Sequence, residues 1–161
     1  MDNIRKEEIK KELQKLYQRL LIEILQGGVR KQNSIEEIEL STKEMYEEFI
    51  YGVQITFLYS YFEGYFGKID QNMLVNINKE KLKNSLIIFK YIRDVLAHNY
   101  RGELFPSDQA NTIEFNSIRH AENIFDIETS NMDNDKEYIV NKGPLVTKAK
   151  ELIFSYIDNC L

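Results

Sequence analysis

Residues 49–67 carry a single charged side chain, Glu63, in a run close to the length that spans a bilayer. Such a run is either a membrane helix or the buried middle helix of a bundle. Gln54, Thr56, Ser60, three glycines and several tyrosines interrupt it, and no cluster of basic residues at either end fixes an orientation. These features favour a buried central helix, and the rest of the chain is patterned to surround one.

Ile9, Leu13, Leu16, Leu20 and Ile24 recur at three- and four-residue steps, which predicts a first helix over residues 2–25 ended by Gly27-Gly28. Residues 29–40 read as a polar loop with a short irregular piece. Ser41 followed by Glu44 is a capping-box pattern, so a second helix starts there and runs to about Phe66. Asn78 can cap a third helix whose core stripe is Leu82, Leu86, Phe89 and Leu96, ending at about residues 97–99. Gly143-Pro144 opens a final helix with Leu145, Ala149, Leu152 and Tyr156 on one face. Only two prolines and seven glycines stand against this helical pattern.

The stretch before the last helix has a different character. Residues 112–115, 124–127 and 138–140 read as short strands, with a turn over 131–135. We expect residues 103–142 to form a small β-rich insertion, too short to own a core, within a single domain over residues 1–161. The expected fold class is thus mainly α, a four-to-five-helix up-down bundle with a small β insertion before the last helix.

Charge and cysteine content narrow the function classes. Lys plus Arg total 21 against 26 Asp plus Glu, a net charge of −5. Broad, sequence-independent capture of nucleic acid needs a basic surface, and this balance argues against it, although a local basic cleft is compatible with it. The one cysteine, Cys160, can form neither a disulfide framework nor a cysteine-based zinc site within the chain. The first eleven residues are densely charged and lack the apolar core of a signal peptide, so a cytoplasmic location and no membrane association are expected.

The chemistry concentrates in Arg93-Asp94-Val95-Leu96-Ala97-His98-Asn99-Tyr100. At 100° per residue, Arg93 falls within about 20° of Leu82, on the stripe that faces the core. A permanently charged guanidinium there needs a carboxylate, a phosphate or a water-filled cleft. Glu63, the lone charge of the second helix, is the carboxylate best placed to meet it, either as a structural ion pair or in support of catalysis. Asp94 and His98 are four apart on one face, so Asp94 can orient the imidazole. Arg93 and His98 point about 140° apart in an ideal helix. They converge only if the helix ends or distorts at His98, or if a second subunit completes the site.

The segment resembles the signature of HEPN domains, an Arg followed by a polar residue and, at a short interval, a His, late in the third helix of a four-helix bundle. Asn99-Tyr100 extends it to the longer Arg-x4-His-x-Tyr form of HEPN toxins paired with nucleotidyltransferase antitoxins. Leu58-Tyr59-Ser60-Tyr61-Phe62-Glu63-Gly64 is similar to an aromatic-Glu-Gly stretch in the second helix of some HEPN branches. Together these cover two helices, about a third of the chain, and the β insertion departs from the compact toxin form. The resemblance implies a metal-independent endoribonuclease without cofactor or metal, acting in defence, stress response or a toxin–antitoxin pair. It further implies a homodimer whose signatures meet at a shared cleft, a transiently held RNA substrate, and an antitoxin or other partner protein. His98 and Arg93 would be the catalytic residues, supported by Asp94, Glu63, Asn99 and Tyr100, with Tyr100 either contacting RNA, accepting a nucleotide or packing at the helix end.

Two other readings fit the same residues. One is a non-catalytic HEPN-like module that binds a partner protein or nucleotide, with Arg93 and Glu63 holding the bundle together. The other is an unrelated helical interaction protein. His120 has no second histidine or cysteine at ligand spacing, and Asn131-x-Asp133-x-Asp135 lacks the glycine and glutamate of a calcium loop, so neither reads as a metal site. Glycine-rich phosphate loops, nucleophile elbows and zinc-protease motifs are absent from the sequence.

Overall fold

The computed structural model describes residues 2–32, 40–98, 103–104, 122–127, 138–139 and 142–161, with side chains described for 2–19, 49–97, 122–127 and 143–161. Among the described residues five helices are arranged as α1 (Asn3–Gln32), α2 (Leu40–Phe66), α3 (Gln71–Val75), α4 (Glu80–His98) and α5 (Lys142–Cys160). Between α4 and α5, β1 (Glu103–Leu104) and β2 (Tyr138–Ile139) form one antiparallel pair of two residues each.

Helix α2 is the centre, packed on α5, α4 and α1. It runs opposite to α4, since Phe62 meets Phe89 while Gly52, about three turns earlier, lies beside Leu96. Helices α1 and α5 are also antiparallel: Tyr17 shares a 2.7 Å hydroxyl contact with Thr147, and Lys10 pairs with Asp158. The result is an up-down helical bundle whose core holds Ile9, Leu13, Leu58, Phe62, Leu86, Phe89, Leu152 and Ile153 at no more than 3% exposure. Aromatic side chains form its centre, with Phe62 edge-on to both Tyr156 (5.0 Å) and Phe66 (5.0 Å). Among the described residues no helix is long and apolar enough to cross a membrane.

Several sequence expectations need correction. Helix α1 runs through Gly27-Gly28 to Gln32 instead of stopping near residue 25. Each glycine costs a helix about 1 kcal/mol relative to alanine, a penalty that the surrounding helical residues can absorb. Helix α2 starts at Leu40, so Ser41 lies inside its first turn. Helix α4 likewise begins just past Asn78, with the Lys79 carbonyl accepting from the Lys83 amide. The short α3 was not expected; Asp70 caps it, its Oδ1 accepting from the Met73 amide at 2.9 Å.

The described part of residues 103–142 is not a β-rich insertion. It holds the two-residue pair and a turn where residues 124–127 were expected to form a strand. The turn is closed by Asn123, whose Nδ2 donates to the Ile127 carbonyl (3.0 Å) and whose Oδ1 accepts from the Ile127 amide (3.2 Å). Asp126 takes a φ of 52°, a left-handed conformation that Asp tolerates better than most residues. Phe125 plugs into the core and stacks on Phe89 at 5.9 Å, while the Ile124 amide donates to Ser85 of α4 at 2.8 Å. Lys148 of α5 pairs with Asp126 and reaches the Phe125 carbonyl. The turn is thereby tied to two helices at once. The strand expected over 112–115, the turn over 131–135 and His120 all lie outside the described residues.

Candidate functional site

Leu82, Leu86 and Phe89 take the core-facing stripe of α4, and the helical period carries that stripe on to Arg93. Its side chain is 30% exposed, so the guanidinium sits at the rim of the core rather than inside it. Three neighbours surround it. Asp94 Oδ1 accepts from Nη1 at 2.8 Å, and Glu63 Oε1 lies 3.9 Å from Nη2. The ring of Tyr59 lies beneath, with the guanidinium carbon 4.3 Å from its centroid. Tyr59 and Glu63 are one helical turn apart, so α2 offers a ring and a carboxylate on the same face.

Burial opposes the charge on Arg93, but Tyr59, Asp94 and Glu63 outweigh it and hold the guanidinium above its ordinary pKa. Burial pushes the Tyr59 phenol up to about 12, against the pull of Arg93 and with help from Glu63. The folded state therefore binds this proton more tightly than the unfolded chain, whose tyrosines titrate at 10.0. The stability contribution of the neutral phenol is complete below pH 10 and falls as the pH rises through about 12. A titration followed by tyrosinate absorbance should show several late-ionising phenols, since Tyr61, Tyr65 and Tyr156 are also pushed up, and Tyr59→Phe should remove one of them. A late amplitude that does not fall in that variant would mean that Tyr59 ionises with the exposed tyrosines.

The sequence prediction that Glu63 meets Arg93 describes what the two helices bring together. Asp94 was expected to face His98, yet one of its oxygens is engaged by Arg93. Neighbouring residues diverge on an ideal helix, so this pair depends on the long Arg93 side chain folding back. His98 is the last residue of α4, with its side chain outside the described set, and Asn99 and Tyr100 lie outside the described residues.

Toward the end of α4 the site borders a groove of about 300 Å³ lined by Phe49, Gly52, Val53, Thr56, Phe57, Ser60, Leu96 and Ala97. Phe49, Val53 and Phe57 are about half exposed. The Thr56 and Ser60 hydroxyls donate back to the Gly52 and Thr56 carbonyls at 3.0 Å, which leaves the groove with a mainly apolar lining. Sequence reasoning treated α2 as buried all round and so missed this exposed stripe. It also gave Tyr59 no role of its own, although the residue lies in the aromatic stretch four positions before Glu63.

No known family matches this chain, and no curated protein or solved structure matches it. What the site does is therefore argued from its own residues. Among the described residues no group of three His, Cys, Asp or Glu side chains is placed to hold a metal ion. The arrangement offers an anchored cation on the last two turns of α4, one helical turn before the groove residues Leu96 and Ala97.

Proposed function

We propose that this chain is a cytoplasmic, metal-independent endoribonuclease of the HEPN type, working as a dimer in defence, stress response or a toxin–antitoxin pair. The observation that supports the reading most is Arg93. It is a half-buried cation held by Glu63, Asp94 and Tyr59, five residues before a histidine at the helix end. In this reading His98 takes the proton of a ribose 2′-hydroxyl as its oxygen attacks the adjacent phosphorus. The 5′-oxygen leaves with a proton delivered by a second acid, which leaves a 2′,3′-cyclic phosphate and a 5′-hydroxyl. Imidazole suits the first step because its pKa lies near neutrality, and Arg93 stabilises the charge that builds on the phosphate oxygens.

A second reading, a non-catalytic module for a partner protein or nucleotide, is favoured by a specific observation. Arg93 faces two carboxylates, so the described cluster carries a formal charge of −1 and opposes an incoming phosphate unless another cation joins it.

End-labelled single-stranded RNA incubated with the protein in EDTA separates the two. The ribonuclease reading expects fragments with cyclic phosphate ends from the parent and none from His98→Ala. Unchanged cleavage by His98→Ala would remove the catalytic assignment, and a folded parent that cuts no RNA would transfer the weight to the partner module.

A further inference from the structure

The ring that lies against the Arg93 guanidinium belongs to Tyr59, a residue to which the sequence reading gave no role of its own. Tyr59 is 1% exposed, and its ring stands edge-on to Phe89 at 5.1 Å with an interplanar angle of 63°. Phe89 is itself fully buried between Phe62 and Phe125. A ring wedged this way cannot tilt without displacing the close-packed centre of the bundle. The guanidinium above it is flat and weakly hydrated, the type of cation that rests well on an aromatic face.

The other contacts do not replace this support. Glu63 is 3.9 Å away, beyond hydrogen-bond range, and Asp94 holds only Nη1. Nε is buried and has no hydrogen-bond partner among the described residues, which do not fix the side chain through that atom. A long arginine side chain has much rotamer entropy to lose when immobilised, and a single edge contact leaves much of that freedom.

We propose that Tyr59 is the positioning residue of this site: its ring seats the Arg93 guanidinium, while Asp94 and Glu63 hold the edges. Its part in RNA cleavage rests on the ribonuclease reading; the seating of Arg93 does not. The seat is the ring, to which the hydroxyl adds a hydrogen-bonding interaction with Arg93, so phenylalanine serves in large part in its place and leucine does not.

Nitrogen-15 NMR of the arginine Nε–H groups tests the seat without reference to activity, with the Arg93 signal identified by its loss in Arg93→Lys. A proton held over an aromatic face is shifted upfield by the ring current. The parent and Tyr59→Phe are expected to show an upfield Arg93 signal, and Tyr59→Leu a signal at the position of unstructured arginine. A parent signal already at that position would overturn the proposal, and this arm holds even if Tyr59→Leu fails to fold. With RNA as substrate, Tyr59→Phe should lose no more than a few-fold in kcat. Tyr59→Leu should lose on the order of 100-fold in kcat with a smaller change in KM, the scale expected when a catalytic group is misplaced by about an ångström. Parental kcat in a folded Tyr59→Leu whose upfield shift is gone would also overturn the proposal. If the parent cuts no RNA, the ribonuclease reading fails, and the NMR signal alone decides whether Tyr59 seats Arg93.

Discussion

Phe89→Ala is expected to lower the unfolding free energy by about 3–5 kcal/mol, the usual cost of truncating a fully buried phenylalanine. Phe89 is at the junction of three parts of the molecule. It meets Tyr59 and Phe62 of α2 on one side and Phe125 of the 122–127 turn on the other. Collapse around the missing ring would require all of them to shift, and they are held by hydrogen bonds and by other rings. The cavity term should therefore sit at the upper end of its range. For a chain of this length the loss corresponds to a fall of roughly 10 °C or more in Tm. Thermal or urea unfolding checks the value, and a loss below about 1 kcal/mol would contradict the central place given to Phe89. The same variant should loosen the ring beneath Arg93, because Phe89 is what holds Tyr59 upright.

The bundle was legible because each helix repeats its apolar residues on one face. Ile9 and Leu13, Leu82 with Leu86 and Phe89, and Leu145 with Leu152 and Tyr156 were picked out by spacing and are all buried. The boundaries were less legible, because they depend on small differences between local terms. Gly27-Gly28 weakens a helix without ending it, and the Asp70 cap of α3 is a signal five helical residues long. Residues 124–127, Ile-Phe-Asp-Ile, are rich in the β-branched and aromatic side chains of a strand. Asn123 nevertheless closes them into a turn with two side-chain hydrogen bonds, a local interaction that periodicity does not register. In the site, helical arithmetic placed Arg93 on the inner stripe and made Glu63 its natural partner. Tyr59 escaped because its role depends on how α2 and α4 are packed together, which the pattern of a single helix does not contain. The exposed stripe of Phe49, Val53 and Phe57 escaped for a similar reason: composition alone does not show which side of an all-apolar helix is left uncovered.

Arg93→Ala is where the two functional readings diverge most. If Arg93 chiefly holds the bundle together, its removal should cost several kcal/mol by stranding buried carboxylates. The geometry points the other way. The side chains of Arg93, Glu63 and Asp94 are each between 25% and 30% exposed, so water can reach the carboxylates left behind. Ion pairs this accessible contribute about 0–1 kcal/mol, and the lost contact with Tyr59 adds about 1 kcal/mol or less. Arg93→Ala should accordingly fold and melt within a few degrees of the parent. In the ribonuclease reading the same change removes the cation that meets developing charge on the phosphate, and cleavage should fall by on the order of 100- to 1000-fold. Arg93→Lys should recover only part of that loss, since an ammonium lacks both the planar fork and the fit to the Tyr59 ring. A melting point lowered by 10 °C or more, on the scale expected for Phe89→Ala, would make Arg93 a structural tie and favour the partner module. A near-parental melting point with cleavage abolished would assign it to the chemistry.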